Sequence, residues 1–278
     1  MDSRNALLHF YKIVSLSQKI KMNINGYFLV FYLVLFVRCN SDVIWRQQMS
    51  NGKLCILGDS ILKGISLEEN TNRYIVCDGI NFSMIADRAG LKLENHSKFG
   101  CTVTKAWEFV KKKFTSDMPE VMVMDFGGND SDFKWKEIND NPLAVHGPNT
   151  DISTFIGTYE DMLDSLIEKG TKPVVTTLVP VQSEKYFNWF CKTLNLAKDR
   201  VMSWLGDINR IANFQQVYSD AVKGIAAGRD IPLIDLRSAF MHEKDQDLMC
   251  IDGIHPNEKG QKLIHECFDS FMCDYLTF

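Results

Sequence analysis

Three short blocks of the chain carry residues that could do chemistry together. The first, Ile56-Leu57-Gly58-Asp59-Ser60, is an apolar run ending in a serine. A serine hydroxyl is a weak nucleophile until a base takes its proton. The second, Asp252-Gly253-Ile254-His255-Pro256-Asn257, can supply that base. Histidine changes charge near neutral pH, and an aspartate three residues upstream can bond its other ring nitrogen and fix the tautomer. The third block, Gly127-Gly128-Asn129-Asp130, joins glycines that permit a sharp turn to a carboxamide able to donate into a site. Such a donor suits a developing oxyanion. A weaker fourth element is Gly100, in Lys98-Phe99-Gly100-Cys101-Thr102, whose backbone N–H could be a further donor.

Each block also has a plainer reading. Ser60 could cap a helix; if a helix does start there, its N–H groups would also favour an oxyanion. Asp252 could stabilise a turn, with His255 at the surface. The Gly-Gly-Asn-Asp block could be a simple turn, and Gly100 an ordinary loop glycine. Asp59 and Asp130 read as residues that bond nearby backbone. The conjunction of the blocks, taken with the elements that must position them, favours chemistry.

Those elements follow from hydrophobic periodicity. Short apolar runs predict strands at 53–57, 92–95, 121–126, 174–178 and 233–235, buried on both faces of a parallel sheet. Amphipathic stretches predict helices at 82–89, 103–114, 155–169, 208–227 and about 258–275, the last starting at Pro256-Asn257. Alternation of this kind implies an α/β chain folded as a three-layer α/β/α sandwich on a parallel sheet of about five strands. Ligand sites in such sheets lie beyond the carboxyl ends of the strands. The four blocks fall there, after strands one, two, three and five. Two segments exceed plain connections: 131–154 and the aromatic-rich 182–207. They are expected to wall a substrate site or to pack against the domain.

Together the blocks resemble the SGNH hydrolases, also called GDSL-type esterases and lipases. Ser60, Gly100, Asn129 and His255 stand at the residues of that pattern, with Asp252 ahead of the histidine, over about residues 53 to 275. Ile61 replaces the leucine that often follows the serine, and the block around Gly100 matches loosely. The resemblance implies a flavodoxin-like fold, no metal, no cofactor, and ester hydrolysis through an acyl-enzyme on Ser60. His255 would act as base and then acid, oriented by Asp252, in a cleft open to solvent. The N–H groups of Ser60 and Gly100 and the Asn129 side chain would form the oxyanion hole. The substrate would be an acylated carbohydrate or a lipid-like ester. An acyl-thioesterase or lysophospholipase on the same machinery, or a catalytically silent binding module, are the alternatives.

Composition limits the remaining classes. The formal charge of −4 and the lack of a basic stripe argue against nucleic acid. No Gly-x-x-x-x-Gly-Lys-Ser/Thr or Gly-x-Gly-x-x-Gly loop points to a nucleotide. Residues 1–48 hold six basic and two acidic side chains, so this extension is a piece distinct from a hydrolase domain at 49–278. Within it, Tyr27–Val37 is an apolar run, short for a membrane span but long enough for a signal-peptide core. No small-x-small cleavage site follows, and the preferred reading is a functional start at Met49. A cytoplasmic location is therefore favoured, with secretion or membrane anchoring if residues 19–38 act as a signal. Eight cysteines, seven of them after Met49 and none in a Cys-x-x-Cys pair, read as reduced and mostly buried.

Overall fold

The computed structural model describes residues 52–77, 79–243 and 247–276. The expectations for residues 1–48, including the apolar run Tyr27–Val37, lie outside the described residues. Among those described, no helix is long and apolar enough to cross a membrane.

Five strands form one parallel sheet: β1 (Lys53–Gly58), β4 (Lys92–Asn95), β5 (Val121–Asp125), β6 (Lys172–Thr176) and β7 (Leu233–Ile234). Their order across the sheet is β4-β1-β5-β6-β7. The chain moves outward from β1 to β4, then returns across β1 to β5. Such a reversal opens a crevice between β1 and β5, outside their carboxyl ends, and makes this the doubly wound arrangement of flavodoxin-like folds. Register places Gly58 opposite Asp125, so the turns that follow both strands emerge side by side.

Helices cover both faces. On one lie α2 (Val103–Lys113), α4 (Ile152–Glu168) and α7 (Arg210–Arg229). Phe155, Tyr159, Met162, Leu163 and Leu166 of α4 recur at helical spacing, so one stripe meets Cys55, Leu57, Met122 and Met124 of the sheet. Asp151 starts α4 by accepting a hydrogen bond from the Thr154 N–H at 3.0 Å. Because side chains alternate along a strand, Leu54 and Ile56 face the other way. On that side α1 (Phe82–Arg88) packs on α9 (Glu258–Leu276), with Phe82 edge-on to Phe268. Asn257 opens α9, its side chain accepting from the Gly260 N–H at 3.1 Å.

Two features depart from the periodicity. No helix follows Ser60; residues 59–64 form a turn and enter an antiparallel hairpin of β2 (Ile65–Glu68) and β3 (Arg73–Val76). These strands are four residues each, too short for alternation to announce them. The two long segments also carry helices of their own: α3 (Trp135–Asp140), α5 (Ser183–Thr193) and α6 (Lys198–Leu205). They pack together around the stacked rings of Trp135 and Phe190, whose centroids lie 4.3 Å apart. A short α8 (Leu236–His242) follows β7.

Phe155 lies fully buried between Tyr159 and Tyr218. Phe155→Ala should lower unfolding stability by about 3–5 kcal/mol through the cavity it leaves. Urea titration checks this, with the slope against denaturant unchanged; a loss under about 1 kcal/mol would show that the α4 face is not part of the main core.

Candidate active site

Ser60 begins the turn after β1, and His255 lies in the loop before α9. Their side chains meet, with Ser60 Oγ 3.0 Å from His255 Nε2. On the far side of the ring, Nδ1 lies 2.7 Å from Asp252 Oδ2. An ionised carboxylate only accepts hydrogen bonds, so Nδ1 carries the proton and Nε2 presents a lone pair to the Ser60 hydroxyl. The other oxygen of Asp252 accepts from the backbone N–H groups of Ile254 and His255, each at 3.1 Å. Burial alone would push the Asp252 carboxyl up. The His255 ring beside it, together with those N–H groups, outweighs burial and holds it below its ordinary value of 3.8.

The loop is fixed from several sides. The Cys250 N–H donates to the His255 carbonyl at 2.8 Å, and the Gln182 N–H to the Gly253 carbonyl at 2.8 Å. Ser66 of the hairpin donates to the Pro256 carbonyl at 2.6 Å. Gly253 has φ of +72°, and a Cβ there would stand 2.7 Å from both the Gln182 carbonyl oxygen and the Tyr186 nitrogen. Only glycine fits without displacing the start of α5. His255 itself is buried, 2% exposed, with Phe99 stacked on its ring at 5.6 Å and Tyr74 of β3 at 4.9 Å. Its Ser60-facing edge borders a pocket that is partly open to solvent.

Asn129, in the turn after β5, reaches the same cavity. Its carboxamide N–H donates to Asp59 Oδ2 at 2.8 Å, and Asp59 Oδ1 accepts from the Ile61 N–H at 2.8 Å. The carboxamide is thus held on the Ser60 side of the pocket with a second N–H left to donate. Gly127 turns the chain at φ of +133°, where a Cβ would stand 2.9 Å from Leu178. Asp130 does more than order its own turn, since its carboxylate accepts from the Val103 N–H at 3.1 Å and ties the block to the start of α2. Gly100 sits in the loop after β4, beside Phe99, and is not among the residues lining the cavity. Among the described residues no group of three or more His, Cys, Asp or Glu is placed to hold a metal ion.

The model of the GDSL-like lipase/acylhydrolase family matches residues 56–263. The chain belongs to that family. The GDSL esterase/lipase WDL1 of Oryza sativa subsp. japonica is 27% identical over 178 residues, 60% of each chain. The chain thus spans 60% of the length of the curated relatives it matches. Among solved structures, the acetyl xylan esterase AlAXEase superposes with a TM-score of 0.55 at 18% identity, covering 78% of this chain and 98% of that one. A catalytic mutant of Axe2, an acetylxylan esterase from Geobacillus stearothermophilus, gives 0.56 at 14% identity over 80% and 94%. Axe2 has been solved as catalytic mutants in which a serine, an aspartate or a histidine is replaced by alanine. At these identities the structural likeness speaks for the GDSL-like fold.

Sequence reasoning missed three parts of the site in this GDSL-like chain. Tyr74 and Phe99, which touch each other and both pack against the imidazole, carry no motif. Asp125, the last residue of apolar β5, is buried, bonded by the Thr176 hydroxyl at 2.8 Å, and its other oxygen has no partner. A charge closing the run Val-Met-Val-Met was the available signal. Asp59 is more than a backbone ligand, because it aims Asn129. Burial, then the nearby charge of Asp125, pushes its carboxyl well above the ordinary value of 3.8. Burial pushes Asp125 the same way.

For a carboxyl whose pKa rises on folding, the native state binds the proton more tightly. Its stabilising contribution is complete below the unfolded value and is lost as pH rises above about 4. Asp59→Asn removes one such titration. The variant should therefore gain stability relative to the wild type between about pH 5 and about pH 8, measured by denaturant unfolding. A difference independent of pH would mean that Asp59 ionises in the folded state as it does in the unfolded chain.

Proposed function

We propose that the protein is a serine hydrolase that cleaves carboxylic esters, with Ser60 as nucleophile. The observation that carries the reading is the unbroken relay from Ser60 Oγ through the imidazole of His255 to Asp252, with contacts of 3.0 and 2.7 Å. The GDSL-like family and the acetyl xylan esterases among its structural neighbours support the same class. So do the serine, aspartate and histidine variants made in Axe2.

His255 takes the Ser60 proton as Oγ attacks the ester carbonyl, while Asp252 stabilises the imidazolium that forms. The oxyanion is met by the second N–H of Asn129 and by the backbone N–H of Ser60; Gly100, which the family pattern would add, does not border the cavity. The imidazolium then gives its proton to the leaving alcohol. Water, deprotonated by the same nitrogen, attacks the acyl-enzyme, and the Ser60 oxygen recovers its proton as the acid leaves. Phe99 and Tyr74, in contact with each other, pack on the ring and help to keep it in place.

Hydrolysis of p-nitrophenyl esters by purified variants tests the reading. Ser60→Ala and His255→Ala should each lower kcat by about 10⁴–10⁶, and Asp252→Asn by about 10⁴. Asn129→Ala should cost about 10²–10³ with little change in KM, because the donor acts on charge that develops in the transition state. His255 is buried, so thermal unfolding of each variant separates lost chemistry from lost structure. Near wild-type turnover by folded Ser60→Ala would overturn the proposal.

A further inference from the structure

The hairpin of β2 and β3 is bonded to both ends of the relay. At its base the Ile65 N–H donates to the Ser60 carbonyl at 2.9 Å. Along β2, the Ser66 hydroxyl donates to the Pro256 carbonyl at 2.6 Å, and the Ile65 carbonyl accepts from Gln261 of α9 at 3.1 Å. Tyr74 stands on β3 opposite Leu67, and paired residues of antiparallel strands share a face. Leu67 is buried on that face. Tyr74 thus turns toward the histidine loop, and its ring centroid lies 4.9 Å from that of His255.

The hydroxyl of that ring meets two groups of opposite kind, the carboxylate of Asp252 and the indole of Trp189 on α5. A carboxylate only accepts and an indole N–H only donates, so the direction of both bonds is fixed. The Trp189 N–H donates to the Tyr74 oxygen, and the Tyr74 O–H donates to Asp252. The carboxylate has room for it. One of its oxygens takes the N–H groups of Ile254 and His255, the other takes the imidazole, and two oxygens offer about four positions. The other titratable groups around the hydroxyl are Cys250 of the histidine loop and Tyr186 of α5, both held neutral by burial. Burial, then the charge of Asp252, pushes Tyr74 itself up to about 12. Its hydroxyl therefore keeps the proton it donates at neutral pH.

We propose that Tyr74 is a positioning residue for hydrolysis, its ring seating the imidazole of His255 and its hydroxyl fixing the carboxylate that orients that imidazole. The inference rests on the ester-hydrolase reading. The relay of Ser60, His255 and Asp252 is then prolonged through Tyr74 to Trp189, and so from the hairpin to the insertion at 182–207. Hydrogen bonds in such a chain polarise one another. The Tyr74 hydroxyl restrains Asp252 from a direction that its own loop does not cover. It also draws charge from the carboxylate and so tempers the bond to Nδ1–H. Packing alone would not require a tyrosine. Phe99 stacks on the same imidazole at 5.6 Å and has no hydroxyl.

Tyr74→Phe keeps the ring and removes the hydroxyl, which separates positioning from packing. On p-nitrophenyl acetate it should lower kcat about tenfold with KM unchanged. A second readout needs no turnover: the ¹H NMR resonance of the proton between His255 Nδ1 and Asp252, assigned by its absence from His255→Gln. In Tyr74→Phe that resonance should move downfield, because a carboxylate relieved of one donor accepts more strongly from the imidazole. Trp189→Phe should move it the same way by less, and it decides the matter if Tyr74→Phe does not fold. Ile75→Thr, exposed on the same strand, should leave kcat and the resonance as in the wild type. A wild-type kcat in folded Tyr74→Phe, or a resonance that stays or moves upfield, would overturn the inference. So would equal changes in Ile75→Thr, which would assign the effect to the hairpin as a whole. Failure of the wild type to hydrolyse any ester would instead overturn the ester-hydrolase reading, while the resonance would still report whether Tyr74 holds Asp252.

Discussion

The site depends on a loop from the end of the chain being held against the turn after the first strand. Ser60 and His255 are 195 residues apart, yet their side chains meet at 3.0 Å. Nothing in the sheet enforces that meeting. It is enforced by Asp252, which fixes the ring from one side, by backbone hydrogen bonds from Cys250 and Gln182, and by the β2–β3 hairpin, which holds the loop through Ser66. Gly253 lets the backbone pass close to α5. A buried carboxylate–imidazole pair is costly to desolvate and is weak evidence for stability. Its value here is orientation: an imidazole that cannot swing away from the Ser60 hydroxyl.

A second polar system adjoins Ser60. Asp59 and Asp125, at the ends of neighbouring strands, are both buried, and both are pushed toward the protonated form. Asp59 nonetheless binds the Ile61 N–H and the Asn129 carboxamide. Burying two acids near one another opposes folding at neutral pH, and the fold tolerates it at the place where a donor must be aimed. Strain and polarity concentrated at a site, with an apolar core elsewhere, is the pattern expected when local rules yield to function.

The sheet was legible in the sequence because its strands are buried on both faces and separate cleanly from the amphipathic helices. Predicted and observed strand limits differ by two residues at most: β6 spans Lys172–Thr176 where 174–178 was expected, since Pro173 masks its start. The helices α1, α2, α4, α7 and α9 were legible for the same reason. The hairpin was not, because four-residue strands carry too little alternation and β3 is exposed throughout. Helices α3, α5 and α6 were hidden in segments whose aromatics face one another and not the sheet. At the site, Ser60, Asp252, His255 and Asn129 were marked by short-range spacing, and the structure brings Ser60, His255 and Asn129 to one cavity, with Asp252 bonded to the far side of the His255 ring. Gly100 does not border that cavity. Asp59, Asp125, Tyr74 and Phe99 gain their places from contacts between distant elements, which no local pattern records.

The sharpest test of the account is where an activated phosphonate lands. Intact protein treated with a fluorophosphonate, digested and mapped by mass spectrometry, should carry one adduct, on Ser60, because among the described residues that is the hydroxyl that faces an imidazole lone pair. An adduct on Ser131, which also lines the cavity, or a folded protein that stays unmodified, would contradict it.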